Sequence, residues 1–358
     1  MSDTGPKAFA ADARAARRLS ALKAAWWGAQ WWAAQRVTGR HKAAAPRPAA
    51  SPPPPIALVR ARWQEAFVKD AADVAAGLYP VTEGPPRDPV TPFKRAADII
   101  GEARTVENRR KRRGGVEVRD EGDYSAYPVY YRQNFHYQTG GWFTRESARR
   151  YEAQVEMLFS GSAGAMRRRA LSLLAKAWRE RDQRRLTLVD IACGSGAFLT
   201  DLKGAFPRAS VMGLDLSAAY LAEARARSGA ATVLAAAERL PFADASLDGL
   251  TCVYLFHELP PKVRPLVAAE MARVLKPGGV LAFADSVQKA DEPELARLLE
   301  VFPAFFHEPF YDSYQDEDLE ALFAKAGLTA AMGGRWCVIF FGPVGSVGFL
   351  PTHPERRA

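Results

Sequence analysis

From Leu186 onward, short uninterrupted apolar runs alternate with stretches in which apolar residues recur every three or four positions. The first pattern is that of a buried strand and the second that of a helix with one face against a core. Strands are predicted at 186–192, 210–215, 232–235, 249–255 and 279–285, with helices at 195–206, 218–228 and 262–274 between them. A helix at 315–326 and strand-like runs at 328–332 and 336–341 close the chain. Strands alternating with helices of this length imply a parallel sheet covered on both faces, an α/β doubly wound fold.

Upstream the pattern is mostly helical. Ile56, Val59, Trp63, Phe67 and Val74 mark one helix over 56–80, and further helices are predicted at 93–113, 146–160 and 163–180. The segment 124–143 breaks this pattern, with eight Tyr, Phe or Trp rings in twenty residues and Gly140-Gly141 near its end. Linkers exposed to water are seldom so aromatic. Leu19, Leu22, Trp26, Ala29, Ala33 and Val37 share a helical spacing flanked by arginines, so residues 14–40 read either as a helix lying at a membrane surface or as one packed on the body. Pro52 to Pro55 form a stiff spacer after it. The chain therefore divides into a basic Trp-containing tail with a Pro-rich linker (1–55), a helical and aromatic cap (56–185), the α/β domain (186–345) and a short tail (346–358).

Charge sharpens that division. Of the 49 Lys and Arg residues, 34 fall in 1–185 against 19 Asp and Glu, whereas the remainder of the chain is net acidic. The basic half suits nucleic acid, anionic lipid or an acidic substrate, or is a solvated surface. The run Arg109 to Arg113 reads as a solvated helix end. Cys193, Cys252 and Cys337 lie far apart with no zinc-type spacing, so neither a disulfide framework nor a metal is expected. There is no apolar run long enough to span a bilayer and no secretory signal, so the expected location is cytoplasmic, with membrane-peripheral contact through 14–40 as the variant.

Candidate chemistry gathers at the strand ends. Asp190-Ile191-Ala192-Cys193-Gly194-Ser195-Gly196 joins a strand to a helix through a glycine turn that lets a ligand approach the backbone. Asp215 ends the second strand, where an acidic side chain can accept both hydroxyls of a ribose or cap the next helix, a role Ser217 would fill equally well. His257 and Glu258, after the fourth strand, are candidates for moving a proton.

These motifs, with Ala237-Glu238-Arg239-Leu240-Pro241-Phe242, Ser246-Leu247-Asp248 and Arg273-Val274-Leu275-Lys276-Pro277-Gly278-Gly279, occur in order at spacings that resemble class I S-adenosylmethionine-dependent methyltransferases, especially the UbiE/COQ5-type C-methyltransferases. The resemblance covers about 186–342 and implies a Rossmann-like seven-stranded sheet with its last strand antiparallel. It implies that Asp190, Ala192, Gly194 and Gly196 line the methionine part of the cofactor, that Asp215 holds the ribose with Leu216 against the adenine, and that Ala237 and Glu238 flank the adenine. Tyr254 to Glu258 would follow, where cofactor and acceptor meet. Tyr130, His136, Gln138, Gly140, Gly141 and Tyr151 would fold over the cofactor as a lid, or pack beneath the core. Ala192 replaces a family glycine and is tolerable if its φ is negative, and Ala236 replaces an Asp that commonly bonds the adenine amine. The expected activity is methyl transfer to a small aromatic or lipid-like acceptor. RNA methylation and cofactor binding without catalysis stand as alternatives, the first disfavoured because no Asn/Asp-Pro-Pro-aromatic loop follows the fourth strand.

Overall fold

The computed structural model describes residues 50–81, 90–334 and 344–351, together with residues 18–38 except 19, 20, 24, 31 and 35. The run at 336–341 and Cys337 lie outside the described residues.

Five parallel strands form the centre of the sheet. β1 (Thr187–Ile191) lies between β2 (Ser210–Asp215) and β4 (Leu247–Val253), β3 (Ala231–Leu234) flanks β2, and β5 (Leu275–Ser286) flanks β4. β7 (Val344–Pro351) pairs antiparallel with β5 and with β6 (Leu328–Gly334) at the edge. All seven residues of β4 are buried, as expected of a strand covered on both faces. Alternate residues of β1 serve different cores: Leu188 packs with α4 (Ala163–Ala177) and α5 (Ala197–Ala205), and Val189 and Ile191 with α7 (Arg264–Val274). The order reverses between β1 and β4, which opens a crevice beyond their carboxyl ends.

The remaining helices are α1 (Ile56–Ala75), α2 (Val90–Lys111), α3 (Arg145–Leu158), α6 (Ala218–Ser228), α8 (Ala296–Phe306), α9 (Tyr311–Gln315) and α10 (Leu319–Lys325). Most lie within a few residues of the expected positions. α8 has no counterpart among the expected elements, and the helix expected at 315–326 begins only at Leu319, where Asp318 caps it by accepting from the Ala321 N–H at 2.9 Å.

The cap is held to the sheet domain by buried charge. Arg168 donates to both carboxylate oxygens of Asp70 at 2.8 Å and lies 3.6 Å from Asp201, joining α4 to α1 and α5. Arg169 pairs with Asp73 and Arg167 with Glu152. The run at 109–113 is not simply a solvated helix end. Arg109 is 7% exposed and donates to the Tyr137 carbonyl at 2.6 Å, and Arg110 grips Glu107. Much of the basic excess is therefore spent inside the cap, a fact that composition hides.

In the N-terminal helical residues, Ala34 is buried against Ile99, Ala153 and Met157 with Trp27 alongside, whereas Leu22 and Trp32 are 70% and 60% exposed. Among the described residues no helix is long and apolar enough to cross a membrane.

Candidate active site

The crevice at the strand reversal is a cleft with about 770 Å³ of non-protein space, part of it open to solvent. The sheet side supplies Ala192, Gly194, Leu214, Asp215, Leu216, Ala235, Ala237, Glu238 and Tyr254. The cap side supplies Tyr130, Tyr131, Phe135, Trp142 and Tyr151.

Asp215 anchors the sheet side. Its Oδ2 accepts from the Gly194 N–H at 2.9 Å and its Oδ1 from the Ser217 N–H at 2.8 Å, so the glycine turn and the end of β2 are one unit. Burial pushes its carboxyl above the usual range, opposed by these backbone donors. Ser217 itself caps α6, accepting from Tyr220 N–H at 3.2 Å, so Asp215 is not needed for capping. Asp190 is held by Thr251, whose hydroxyl donates at 2.6 Å, and burial raises its carboxyl to about 7. With Ala192 and Gly194 it faces an adjoining recess that also contains Arg167 and Glu152.

The glycines have different tasks. A Cβ at Gly194 would meet nothing nearer than Tyr151 at 3.7 Å, so space in front of it is open to a ligand. A Cβ at Gly196 would fall 2.6 Å from Ala224 Cα; Gly196 serves helix packing and does not line the cleft. Ala192 has φ +57°, contrary to the negative φ under which alanine is easily tolerated. A left-handed alanine costs on the order of 1 kcal/mol, and Tyr254, at φ +60°, carries the same strain.

The aromatic segment 124–143 winds through short 3₁₀ turns, not a helix. Phe135 stacks on Trp142 at 5.7 Å, and Trp142 meets Tyr151 and Tyr220 edge-on. Tyr130 and Tyr151 reach the cleft as expected of a lid, and the Tyr130 hydroxyl donates to Glu238 at 2.8 Å across it. Gln138, Gly140 and Gly141 line no part of the cleft. Gln138 donates to the Gly141 carbonyl at 2.8 Å and to Ser147, tying the segment to α3. Tyr131 and Trp142 of the aromatic segment, and Tyr220 of α6, also line the cleft. The aromatic density of the segment is visible in the sequence, but which of its rings face the cleft depends on turns with no simple period, and nothing local marks Tyr220.

Behind Tyr254 lies a second pocket, lined by His136, Tyr151, Val155, Leu158, Phe159, His257, Glu258, Phe302 and Tyr311. Tyr151, Tyr254 and Glu258 border both spaces. His257 Nδ1 lies 2.5 Å from Asp285 Oδ1, whose other oxygen accepts from the Phe256 N–H at 2.6 Å. Burial alone would lower the imidazole, but Asp285 overrides it and the group rises to about 9. His257 is thus an imidazolium at neutral pH. Burial, aided by Glu308, raises the Glu258 carboxyl well above its ordinary value.

Residues 189–283 match the family described as methyltransferase domain. The chain is 36% identical over 139 residues to a demethylmenaquinone methyltransferase of Beutenbergia cavernae, covering 38% of this chain and 54% of that protein. It is 33% identical over 115 residues to a fatty-acid O-methyltransferase of Mycolicibacterium smegmatis, covering 31% and 41%. The chain spans about half the length of the curated relatives it matches. A crystal structure of the magnesium protoporphyrin IX methyltransferase of Synechocystis with bound SAH covers 53% of this chain and 84% of its own, at 16% identity and a TM-score of 0.41. Over residues 189–283, then, the chain matches a methyltransferase domain, and around it resembles the demethylmenaquinone methyltransferases.

Proposed function

We propose that the protein is an S-adenosylmethionine-dependent methyltransferase acting on a small aromatic or lipid-like acceptor. One observation carries the reading. The cleft that joins the Gly194 turn to Asp215 shares Tyr151, Tyr254 and Glu258 with a second pocket whose other walls are largely apolar. The fit to a nucleoside cofactor rests on the residues present. Asp215 would take the ribose hydroxyls, and Glu238, whose Oε2 is buried without a hydrogen-bond partner, would accept from the adenine amine where Ala236 cannot. The sheet completed by antiparallel β7 belongs to the same reading.

When bound, the cofactor supplies a methyl group on a sulfonium, ready for in-line displacement. The chain supplies alignment and exclusion of water. Val155, Leu158, Phe159 and Phe302 would hold an apolar acceptor against Tyr254. His257, positive and braced by Asp285, would stabilise an acceptor anion beside Glu258.

The UbiE-like and fatty-acid relatives support the acceptor class. The buried arginines weigh against RNA, since charges paired inside the cap cannot grip phosphate. The reading takes the protein to work in the cytoplasm, with residues 14–40 touching a membrane surface through Leu22 and Trp32. Calorimetry with S-adenosylmethionine is the first test, followed by transfer of labelled methyl to a panel of quinols, phenols and fatty acids. No heat of binding at millimolar cofactor would sink the proposal. Binding with no transfer to any acceptor would favour a cofactor-binding protein of the same fold.

A further inference from the structure

We propose that His136, Glu258 and Glu308 form a divalent-cation site at the junction of the cleft and the second pocket. One ligand atom from each lies within 4.8 Å of the others. They come from three separate stretches of chain: a 3₁₀ turn of the aromatic segment, the turn after β4, and the residues after α8. No sequence spacing joins them, so the expectation of no metal, which rested on cysteine and histidine spacing, could not have tested this cluster.

A cluster of acids is not a site by itself, and Glu308 supplies the second observation. It is 2% exposed, its Oε1 lies 2.7 Å from His136 Nε2, and its Oε2 has no hydrogen-bond partner. Among the described residues no lysine or arginine pairs with Glu308 or Glu258. The neighbouring His257 has its Nδ1 held by Asp285 at 2.5 Å. Two neighbouring carboxylates, one of them buried, are stabilised by a proton or a cation between them. His136 Nε2 turns toward the same space. One imidazole and two carboxylates suit Mn²⁺, Zn²⁺ or Fe²⁺ and leave coordination positions free. Glu258 borders both cavities, so a bound ion would present those positions to an acceptor oxygen. The substrate class implied is therefore an acceptor with an anionic or chelating oxygen. That last step rests on the methyltransferase reading; cation binding does not.

The test uses the full chain, stripped with a chelator, dialysed, and titrated with Mn²⁺ under electron paramagnetic resonance, without cofactor or acceptor. The expected result is one Mn²⁺ per chain, weakened by about tenfold or more in Glu308→Gln and in His136→Gln. Failure to bind Mn²⁺ or Zn²⁺ below about 1 mM would overturn the proposal, as would equal affinity in folded variants. Circular dichroism reports whether the variants fold. Should they not, pulsed measurements on the Mn²⁺-loaded wild type decide: nitrogen modulation from a directly bound histidine supports the site, and its absence overturns it. Cofactor calorimetry is separate, so a failed cation site and a failed methyltransferase reading give different results.

Discussion

The two walls of the cleft are built by opposite strategies. On the sheet side, the decisive residues lie in short motifs at strand ends, and Gly194 meets Asp215 across one strand–helix unit. On the cap side, several contacts join distant parts of the chain: Tyr130 to Glu238, Arg168 to Asp70, Glu308 to His136. The first strategy makes a wall from backbone geometry. The second encloses the neighbouring space with side chains that hold one another in place.

Asp215→Ala tests the sheet wall hardest. It removes a charged acceptor for two ribose hydroxyls and for the Gly194 N–H, so S-adenosylmethionine affinity should fall by about 3 kcal/mol, on the order of a hundredfold. An unchanged dissociation constant in calorimetry would end the ribose assignment. Asp70→Ala tests the cap equally directly. It removes the carboxylate that the Arg168 guanidinium grips through two hydrogen bonds, and should cost about 3 kcal/mol of stability in denaturant titration. A loss under about 1 kcal/mol would show the pair to be solvated in solution.

A smaller effect follows from His257, where the walls meet. Its folded pKa of about 9 lies above the ordinary 6.5, so the stability it contributes is fully present below pH 6.5 and is lost as pH rises through about 9. Asp285→Asn should bring the imidazole down toward 6.5 and flatten that fall, as read by NMR of the His257 ring. A ring already neutral at pH 7.5 in the wild type would contradict the pairing. The smallest change is Ala192→Gly, which relieves a left-handed alanine at the cost of a more flexible unfolded chain. A net gain of about 0.5 kcal/mol in unfolding free energy is expected, and a loss would mean that the methyl group packs favourably enough to repay its backbone.

The same contrast explains what could be read in advance. Strand positions, the glycine turn and Asp215 were legible because period and local motif determine them. Helix boundaries shifted where a side chain intervened, as Asp318 did. Asp285 and Glu308 were not legible, because nothing local marks a carboxylate as the partner of a histidine 28 or 172 positions away. Nothing local marks Arg167, Arg168 and Arg169 as buried either: their partners sit on helices that pack only in three dimensions.

Arg168 carries one more consequence, for modularity. A single guanidinium is shared by the cap helix that holds Asp70 and the sheet-domain helix that holds Asp201. Cutting the chain between 185 and 186, where the sequence pattern changes, would strip Asp201 of its cationic neighbour and lay bare the apolar faces of Leu188 and Leu199 that α4 covers. A recombinant module meant to be transplanted would have to begin ahead of α1. The seam visible in the sequence is not a seam at which the protein can be taken apart.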